Sequence, residues 1–302
     1  MVRILFPSEP FDPRSVDAAF ESERDAALMA GLEVALIDAG ALEAGAVERA
    51  VRRIPGQPTL GVYRGWMLRA EVYAGLHAAL AARGVTLLNS PDAYRHGHHL
   101  PEWYPLVTPL TPRTIWTTDA AHFDLPALLG RLEVFGGAPL ILKDFVKSRK
   151  HEWLEACFIP SAADAAAVER VVRRFVELQG PDLVGGLVFR ELLDLAPLAT
   201  HSRSELPLSI EYRMFVLDGR PILTGQYWEE GDYTGESPPE EPFATIVRAI
   251  RSRFFTLDVA RMRSGEWIVM ELGDGQVSGL PPRLPVCDLY LALAALDSRD
   301  RP

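Results

Sequence analysis

The sequence has little cysteine, little lysine and almost no asparagine, and each scarcity removes a class of explanation. Two cysteines, Cys157 and Cys287, in 302 residues cannot build a disulfide framework. No run approaches the ~20 apolar residues that a helix needs to span a bilayer, so no membrane partner is expected. Positive charge is in deficit, with 31 basic residues against 41 acidic ones and a net charge of −10. That balance argues against a general electrostatic grip on nucleic acid or anionic lipid. The opening MVRILFPSEP has one short apolar stretch and no small-residue cleavage site, which reads as a first strand and points to a cytoplasmic protein. The stretch after that strand, PSEPFDPRS, lacks the glycine-rich fingerprint of a dinucleotide site.

What remains of lysine is informative by its placement. Of the 31 basic residues 28 are arginine, and the three lysines, Lys143, Lys147 and Lys150, fall within eight positions. A coding preference for arginine explains the depletion but not the gathering of the survivors. An ammonium is a compact, rotatable point charge, whereas a guanidinium is a planar fork. Phosphate oxygens crowded around a metal are a natural target for the point charge.

The pattern along the chain is that of a mixed α/β protein. Strands are expected at 2–6, 34–37, 60–63 and 85–88, with helices over 16–30 and 67–83 that stop at Gly31 and Gly84. Such alternation predicts a small parallel sheet covered by helices. Residues 89–114, rich in Pro, His and aromatics, hold a domain boundary at about 107. His96, His98 and His99 within it do not have the spacing of a zinc pair. Beyond it two α+β lobes are expected, one over about 108–187 and the other over about 188–302. Strands are expected at 140–146 and 156–159, followed by a helix opened by Ser161 with Asp164 three residues on. A further strand is expected at 187–192. Asp218-Gly219 supplies the positive φ angles of a tight hairpin turn between strands at 208–217 and 221–228. A helix over 242–252, a last hairpin of 254–262 with 266–272, and a helix over 286–296 complete the reading.

The last hairpin carries chemistry. A two-residue turn at Ser264-Gly265 sets Asp258 opposite Glu271, where directly facing like charges are destabilising. A hard divalent cation such as Mg²⁺ compensates, since it binds through one or two carboxylates together with substrate phosphates. Apolar residues flank both acids, in TLDVA and VMELG, which favours an inward placement. Glu211 and Arg213 stand two apart on a strand and so project from one face. From there the fork of Arg213 suits a phosphate.

The order of these parts resembles the ATP-grasp superfamily, and within it the clade named for one arginine and two lysines. The resemblance runs over about residues 90–285 and is carried by HHLPEWYP, LKDFVKSRKHEW, FRELLDL, EYRMFVLDGRP and FFTLDVARMRSGEWIVMELGDGQVSGLP. It implies an ATP-grasp fold over 108–302 behind a small parallel-sheet, pre-ATP-grasp domain over 1–107. ATP then lies between the two lobes, with Lys143 and one of Lys147 or Lys150 on its phosphates. Adenine pairs with backbone groups of the hinge strand that includes Arg190, Glu191 and Leu192. Asp194 is the implied ribose ligand, and Glu211 belongs to the same cofactor set. Arg213 steadies the transferred phosphate while Asp258 and Glu271 hold Mg²⁺. The superfamily commonly has Asn two residues after the metal-binding Glu; here that position is Gly273, and the one asparagine in the chain is Asn89. Asp274 or Gln276 is therefore the expected replacement ligand.

The implied reaction phosphorylates a carboxylate with ATP and lets an amine attack the acyl phosphate, releasing ADP. Its partners are small-molecule or peptide carboxylates and amines. Positioning and charge neutralisation carry such chemistry, and no nucleophilic side chain is required. Closure of the 147–153 loop over the phosphates excludes water. The acidic 229–240 loop with Tyr233 on one side, and His98, His99, Trp103 and Tyr104 on the other, are candidate substrate contacts. Two other readings are a nucleotide-binding module without turnover and a nucleic-acid ligase acting through a lysyl-adenylate. The second typically uses K-x-D-G, whereas here the run is Lys143-Asp144-Phe145-Val146.

Overall fold

The fold is taken from a computed structural model, which describes residues 2–120, 123–200, 202, 207–233, 235 and 237–296. Within the acidic loop, Thr234 and Glu236 lie outside the described residues. The architecture is mixed α/β, as the sequence predicts, and the chain groups into two compact units. One comprises 1–97, 198–259 and 271–302; the other comprises 98–197 and 260–270.

The first unit contains a four-stranded sheet in the order Glu33–Ile37, Val2–Pro7, Thr59–Tyr63, Val85–Leu87. All its pairings are parallel, with Arg3 opposite Glu33, Val2 opposite Leu60 and Thr59 opposite Val85. The strand Val2–Pro7 is buried on both faces, which is why it reads as an unbroken apolar run. Val2, Ile4 and Phe6 face a core with Leu289, Tyr290 and Leu293 from the helix Val286–Ala294. Leu5 faces the opposite core, built on Tyr73, Leu76 and Leu80 of the helix Ala70–Ala81. The expected helix over 16–30 is shorter: a 3₁₀ turn at Ala18–Phe20, opened by Asp17 accepting from Ala19 N–H, precedes the helix Glu21–Met29. Residues 89–107 form two short helices, Pro91–His98 and Leu100–Val107.

A second sheet has the order Arg220–Gln226, Glu211–Leu217, Phe254–Arg261, Trp267–Asp274. Its first hairpin turns at Asp218 (φ 48°) and Gly219 (φ 72°), with Leu217 opposite Arg220, as the Asp-Gly pair predicts. Two strands that the sequence pattern does not announce, Pro197–Thr200 and Pro207–Ser209, pair in a stretch that reads as a loop.

The second unit holds an antiparallel sheet in the order Thr114–Thr117, Leu187–Glu191, Leu140–Lys143, Phe158–Ile159. The helix Ala165–Gln179 buries Val168, Val171, Val172 and Phe175 in its core. That helix is capped by Asp164, whose carboxylate accepts from Ala167 N–H at 3.0 Å, so the expected opening at Ser161 moves three residues on. The strand expected to reach Val146 stops at Lys143, because Asp144 takes the amides of Val146 and Lys147 at 2.7 and 2.6 Å and turns the chain. The strand expected from Ala156 starts at Phe158, after a π-helical turn over Trp153–Cys157. Among the described residues no helix is long and apolar enough to cross a membrane.

Candidate functional site

The first unit brings Arg213, Asp258 and Glu271 together. Arg213 stands on the strand Glu211–Leu217 and Asp258 on the adjacent strand Phe254–Arg261. The guanidinium meets the carboxylate as a two-pronged fork, Nε to Oδ1 at 2.8 Å and Nη2 to Oδ2 at 2.7 Å. Both side chains are largely buried, at 17% and 8% exposure. Nη1 donates to Gly279 C=O at 3.0 Å, and the cation lies 4.9 Å from the centre of the Tyr227 ring. Burial works to lower the pKa of Arg213, but the Asp258 charge and hydrogen bonds, with lesser help from Tyr227 and Glu271, hold it above its ordinary value. Glu271 therefore acts on the same cation as Asp258. Glu211 shares their side of the strand and acts electrostatically on Tyr233. Tyr233 itself is buried and accepts from Trp228 N–H at 3.0 Å, pinning the acidic loop.

The turn of the last hairpin differs from the two-residue expectation. Met262 N–H donates to Glu266 C=O at 2.7 Å and Gly265 N–H to Met262 C=O at 2.9 Å, with Gly265 at φ 100°. This is a three-residue loop with a glycine bulge. At the open end Gly275 N–H donates to Phe254 C=O at 3.1 Å. A Cβ at Gly273 would lie 2.6 Å from Thr256 Oγ1, so those two residues share a rung. The two ends thus differ by one residue on the returning strand, the mark of a bulge. The two-residue turn from which the sequence reading set the acids face to face is therefore not the turn that forms. Asp258 and Glu271 are brought to one site by their shared action on Arg213.

Asp274 and Gln276 have other work. Both are fully buried. Asp274 accepts from Asn89 Nδ2 at 2.6 Å, from Gln276 N–H at 2.9 Å and from Gln276 Nε2 at 3.2 Å. Gln276 also donates to Tyr73 OH at 2.8 Å and accepts from Tyr63 N–H at 3.3 Å. Burial pushes the Asp274 carboxyl up to about 6 against these hydrogen bonds. The bare position at Gly273 has a steric cause, since any Cβ there meets Thr256 Oγ1 at 2.6 Å and Ser278 Oγ at 2.8 Å.

The second unit carries the lysines. Lys143 ends the strand Leu140–Lys143 and is 8% exposed, while Lys147 and Lys150 are exposed. Burial pushes the Cys157 thiol up to about 11, and the charges of Lys150 and Lys143 act in the opposite direction, which places both ammoniums around that buried sulfur. The loop between them hangs on Asp144, a residue that sequence reasoning missed. Besides the two amides already named, its carboxylate takes Gln179 Nε2 at 2.8 Å and Val184 N–H at 3.2 Å. An acid directly after a strand end, able to bind the amides two and three residues on, was the available signal.

The hinge strand Leu187–Glu191 lies between two neighbours, so its backbone is paired on both sides. The amides of Glu191 and Leu192 donate to the carbonyls of Arg113 and Pro139, each at 2.9 Å. The amides of these two positions are therefore engaged with backbone carbonyls of the same unit. Arg190 is buried, with Nη2 on Thr111 Oγ1 at 2.8 Å and its cation over the Trp103 ring at 5.8 Å. The Glu191 carboxylate pairs with Arg113 at 3.2 Å, and the exposed Asp194 pairs with Arg263 at 3.0 Å.

A divalent cation fits the chemistry of the Asp258 and Glu271 donors: hard carboxylate oxygens, few enough to leave positions for water and phosphate oxygens, as Mg²⁺ prefers. Among the described residues no group of three or more His, Cys, Asp or Glu side chains is placed to hold a metal.

Residues 134–296 match the model of an ATP-grasp domain, family 3 of the clade named for one arginine and two lysines. The fold resembles that of the ATP-grasp ligase PsnB, solved with a minimal precursor, Mg and ADP, at a TM-score of 0.57 and 15% identity over 98% of both chains. It also resembles a RimK domain ATP-grasp protein from Sphaerobacter thermophilus, at a TM-score of 0.59 and 14% identity over 98% of both chains. The D-cycloserine synthetase DcsG gives 0.58 and 14%, over 98% of this chain and 99% of that one. At such identities the likeness is one of fold. Among curated proteins no relative matches the sequence.

Proposed function

The chain belongs to the ATP-grasp domains, in family 3 of the one-arginine, two-lysine clade, and from that premise we propose that it is an ATP- and Mg²⁺-dependent carboxylate-amine ligase, working through an acyl phosphate and releasing ADP. The observation that carries the reading is the Arg213–Asp258 fork with Glu271 acting on the same cation. A guanidinium and two acids so arranged are a set that divides naturally between a phosphate and a metal.

In this reading Asp258 and Glu271 hold the Mg²⁺, and Arg213 steadies the transferred phosphoryl group. Both oxygens of Asp258 accept from Arg213, so the fork exchanges that carboxylate for phosphate oxygens when the nucleotide binds. The cation supplies neutralisation of developing phosphate charge. Lys143 and Lys150 serve as point charges on the phosphates, with Lys147 nearby on a loop that Asp144 fixes at its root. Asp274 and Gln276, buried and mutually bonded, are assigned to the framework.

Because the amides of Glu191 and Leu192 are engaged in the sheet, adenine pairing is assigned to backbone after Leu192. Asp194, exposed and held by Arg263, is the proposed ribose contact. The carboxylate oxygen attacks the γ-phosphorus and ADP leaves; the amine then attacks the acyl carbon and phosphate leaves with that oxygen. No side-chain nucleophile is needed, and a buried thiol pushed up to about 11 is a poor one. We assign residues 1–107 to the pre-ATP-grasp domain and 108–302 to the ATP-grasp domain, in a cytoplasmic protein. PsnB was solved with a precursor peptide, which supports including peptides among the candidate substrates.

The test is a panel of amino acids, peptides and small carboxylates with amine partners, scored for stimulated ADP release by wild type and Glu271→Gln. Release of ADP by wild type alone supports the assignment. AMP as the product, or equal turnover in both proteins, contradicts it.

A further inference from the structure

Two carboxylates that act on one guanidinium also repel each other, so something must fix the separation of the strands that carry them. One such constraint lies at the open end of the last hairpin. There stands Asn89, the one asparagine in the sequence and almost wholly buried.

Its side-chain amide pairs with a backbone as a peptide group would. Nδ2 donates to Phe254 C=O at 2.6 Å and Oδ1 accepts from Phe254 N–H at 3.1 Å. Nδ2 also donates to the Asp274 carboxylate at 2.6 Å. Phe254 begins the strand that bears Asp258, and Asp274 ends the strand that bears Glu271. One side chain thus clamps one end of each acid-bearing strand.

The clamp is itself held. Tyr73 OH donates to Asn89 C=O at 2.7 Å and accepts from Gln276 Nε2 at 2.8 Å, while Gln276 bonds Asp274. Arg64 reaches the same segment with Nη1 on Gly275 C=O at 2.8 Å and Ser278 C=O at 3.0 Å. Its other nitrogens are locked by Glu23, at 2.9 Å each. The next residue along, Gly279, supplies the carbonyl that anchors Arg213.

We infer that Asn89 is a positioning residue for the metal-binding acids, acting through Phe254 and Asp274 to set the geometry of Asp258 and Glu271. The inference rests on the assignment of those acids to the metal. Aspartate cannot substitute at 89, because it offers no donor to Phe254 C=O and sets a second carboxylate against Asp274. A residue that orients ligands from outside typically changes metal affinity 10- to 100-fold when lost. A residue needed only for folding leaves the metal-loaded and metal-free nucleotide affinities of the folded fraction in their original ratio.

The experiment measures ADP binding with Mn²⁺, by electron paramagnetic resonance of free Mn²⁺, and ADP binding without metal, by calorimetry. Wild type is compared with Asn89→Asp and with the milder Tyr73→Phe. Expected is a loss of about 10- to 100-fold in Mn²⁺ affinity for Asn89→Asp and a smaller loss for Tyr73→Phe, with metal-free ADP affinity unchanged in both. Unchanged Mn²⁺ affinity in folded Asn89→Asp overturns the inference. So does an equal fall in both affinities. If Asn89→Asp does not fold, an unchanged Mn²⁺ affinity in Tyr73→Phe overturns it. A wild type that binds ADP under neither condition refutes the functional assignment itself, and the inference falls with it.

Discussion

Removing the fork of Arg213 while keeping its stem, as in Arg213→Met, isolates the pairing on which the site is built. Asp258 loses two charge-assisted hydrogen bonds at 2.8 and 2.7 Å, Gly279 loses a donor at 3.0 Å, and Tyr227 loses a cation at 4.9 Å. Breaking a buried ion pair from one side costs about 3–5 kcal/mol, because the remaining charge is stranded. Arg213 keeps 17% exposure, so water softens the loss towards the lower end, about 3 kcal/mol. The lost cation–π contact adds about 0.5–1 kcal/mol. Urea denaturation of wild type, Arg213→Met, Asp258→Asn and the double variant gives the coupling directly, expected at about 2–3 kcal/mol. Mg²⁺ should stabilise Arg213→Met more than wild type, since it offsets the loss of the Arg213 charge beside the two acids. A cost below about 1 kcal/mol with negligible coupling, the behaviour of an exposed surface pair, refutes the reasoning.

Three further outcomes are expected. Lys143 is nearly buried, and its role as a point charge predicts that both Lys143→Met and Lys143→Arg lower ADP affinity about tenfold or more in calorimetry, equivalent to about 1.4 kcal/mol; full affinity in Lys143→Arg would remove that role. Asp144→Asn replaces one oxygen of a carboxyl group that accepts four hydrogen bonds and should cost about 2–4 kcal/mol, with faster proteolysis within 147–153; unchanged cleavage would show that the loop is held elsewhere. Asp274 supplies a pH signature. Its folded pKa of about 6 lies above the ordinary 3.8, so the folded state binds the proton more tightly and stability falls as pH rises from about 4 to about 6, by about 3 kcal/mol in total, then levels off. Denaturation of wild type and Asp274→Asn across that window should show this slope in wild type alone, and parallel curves would contradict it.

Local rules set the features that were legible in the sequence. Alternating apolar runs and glycine stops predicted the parallel sheet, and Asp218-Gly219 predicted the first hairpin of the second sheet, because a positive φ at both turn positions is a property of the residues themselves. The clustering of three lysines against 28 arginines singled out the 143–150 loop. What stayed hidden depends on partners far along the chain. Nothing near Asp274 or Gln276 announces that Asn89 and Tyr73, about two hundred residues earlier, consume their polar atoms. The engaged amides of Glu191 and Leu192 follow from which strands flank the hinge, which periodicity does not disclose. The turn at 262–266 escaped prediction because Ser-Gly suits either a two-residue loop or the last positions of a three-residue one, and only the ladder decides.

At the root of the assignment is activation of a carboxylate by the γ-phosphate of ATP. The most direct measurement labels both oxygens of the carboxylate substrate selected by the panel with ¹⁸O and follows the products by ³¹P NMR. Acyl-phosphate chemistry predicts ADP, together with inorganic phosphate that carries one ¹⁸O from the carboxylate. Unlabelled phosphate accompanying amide formation, or AMP and pyrophosphate in place of ADP, would contradict it.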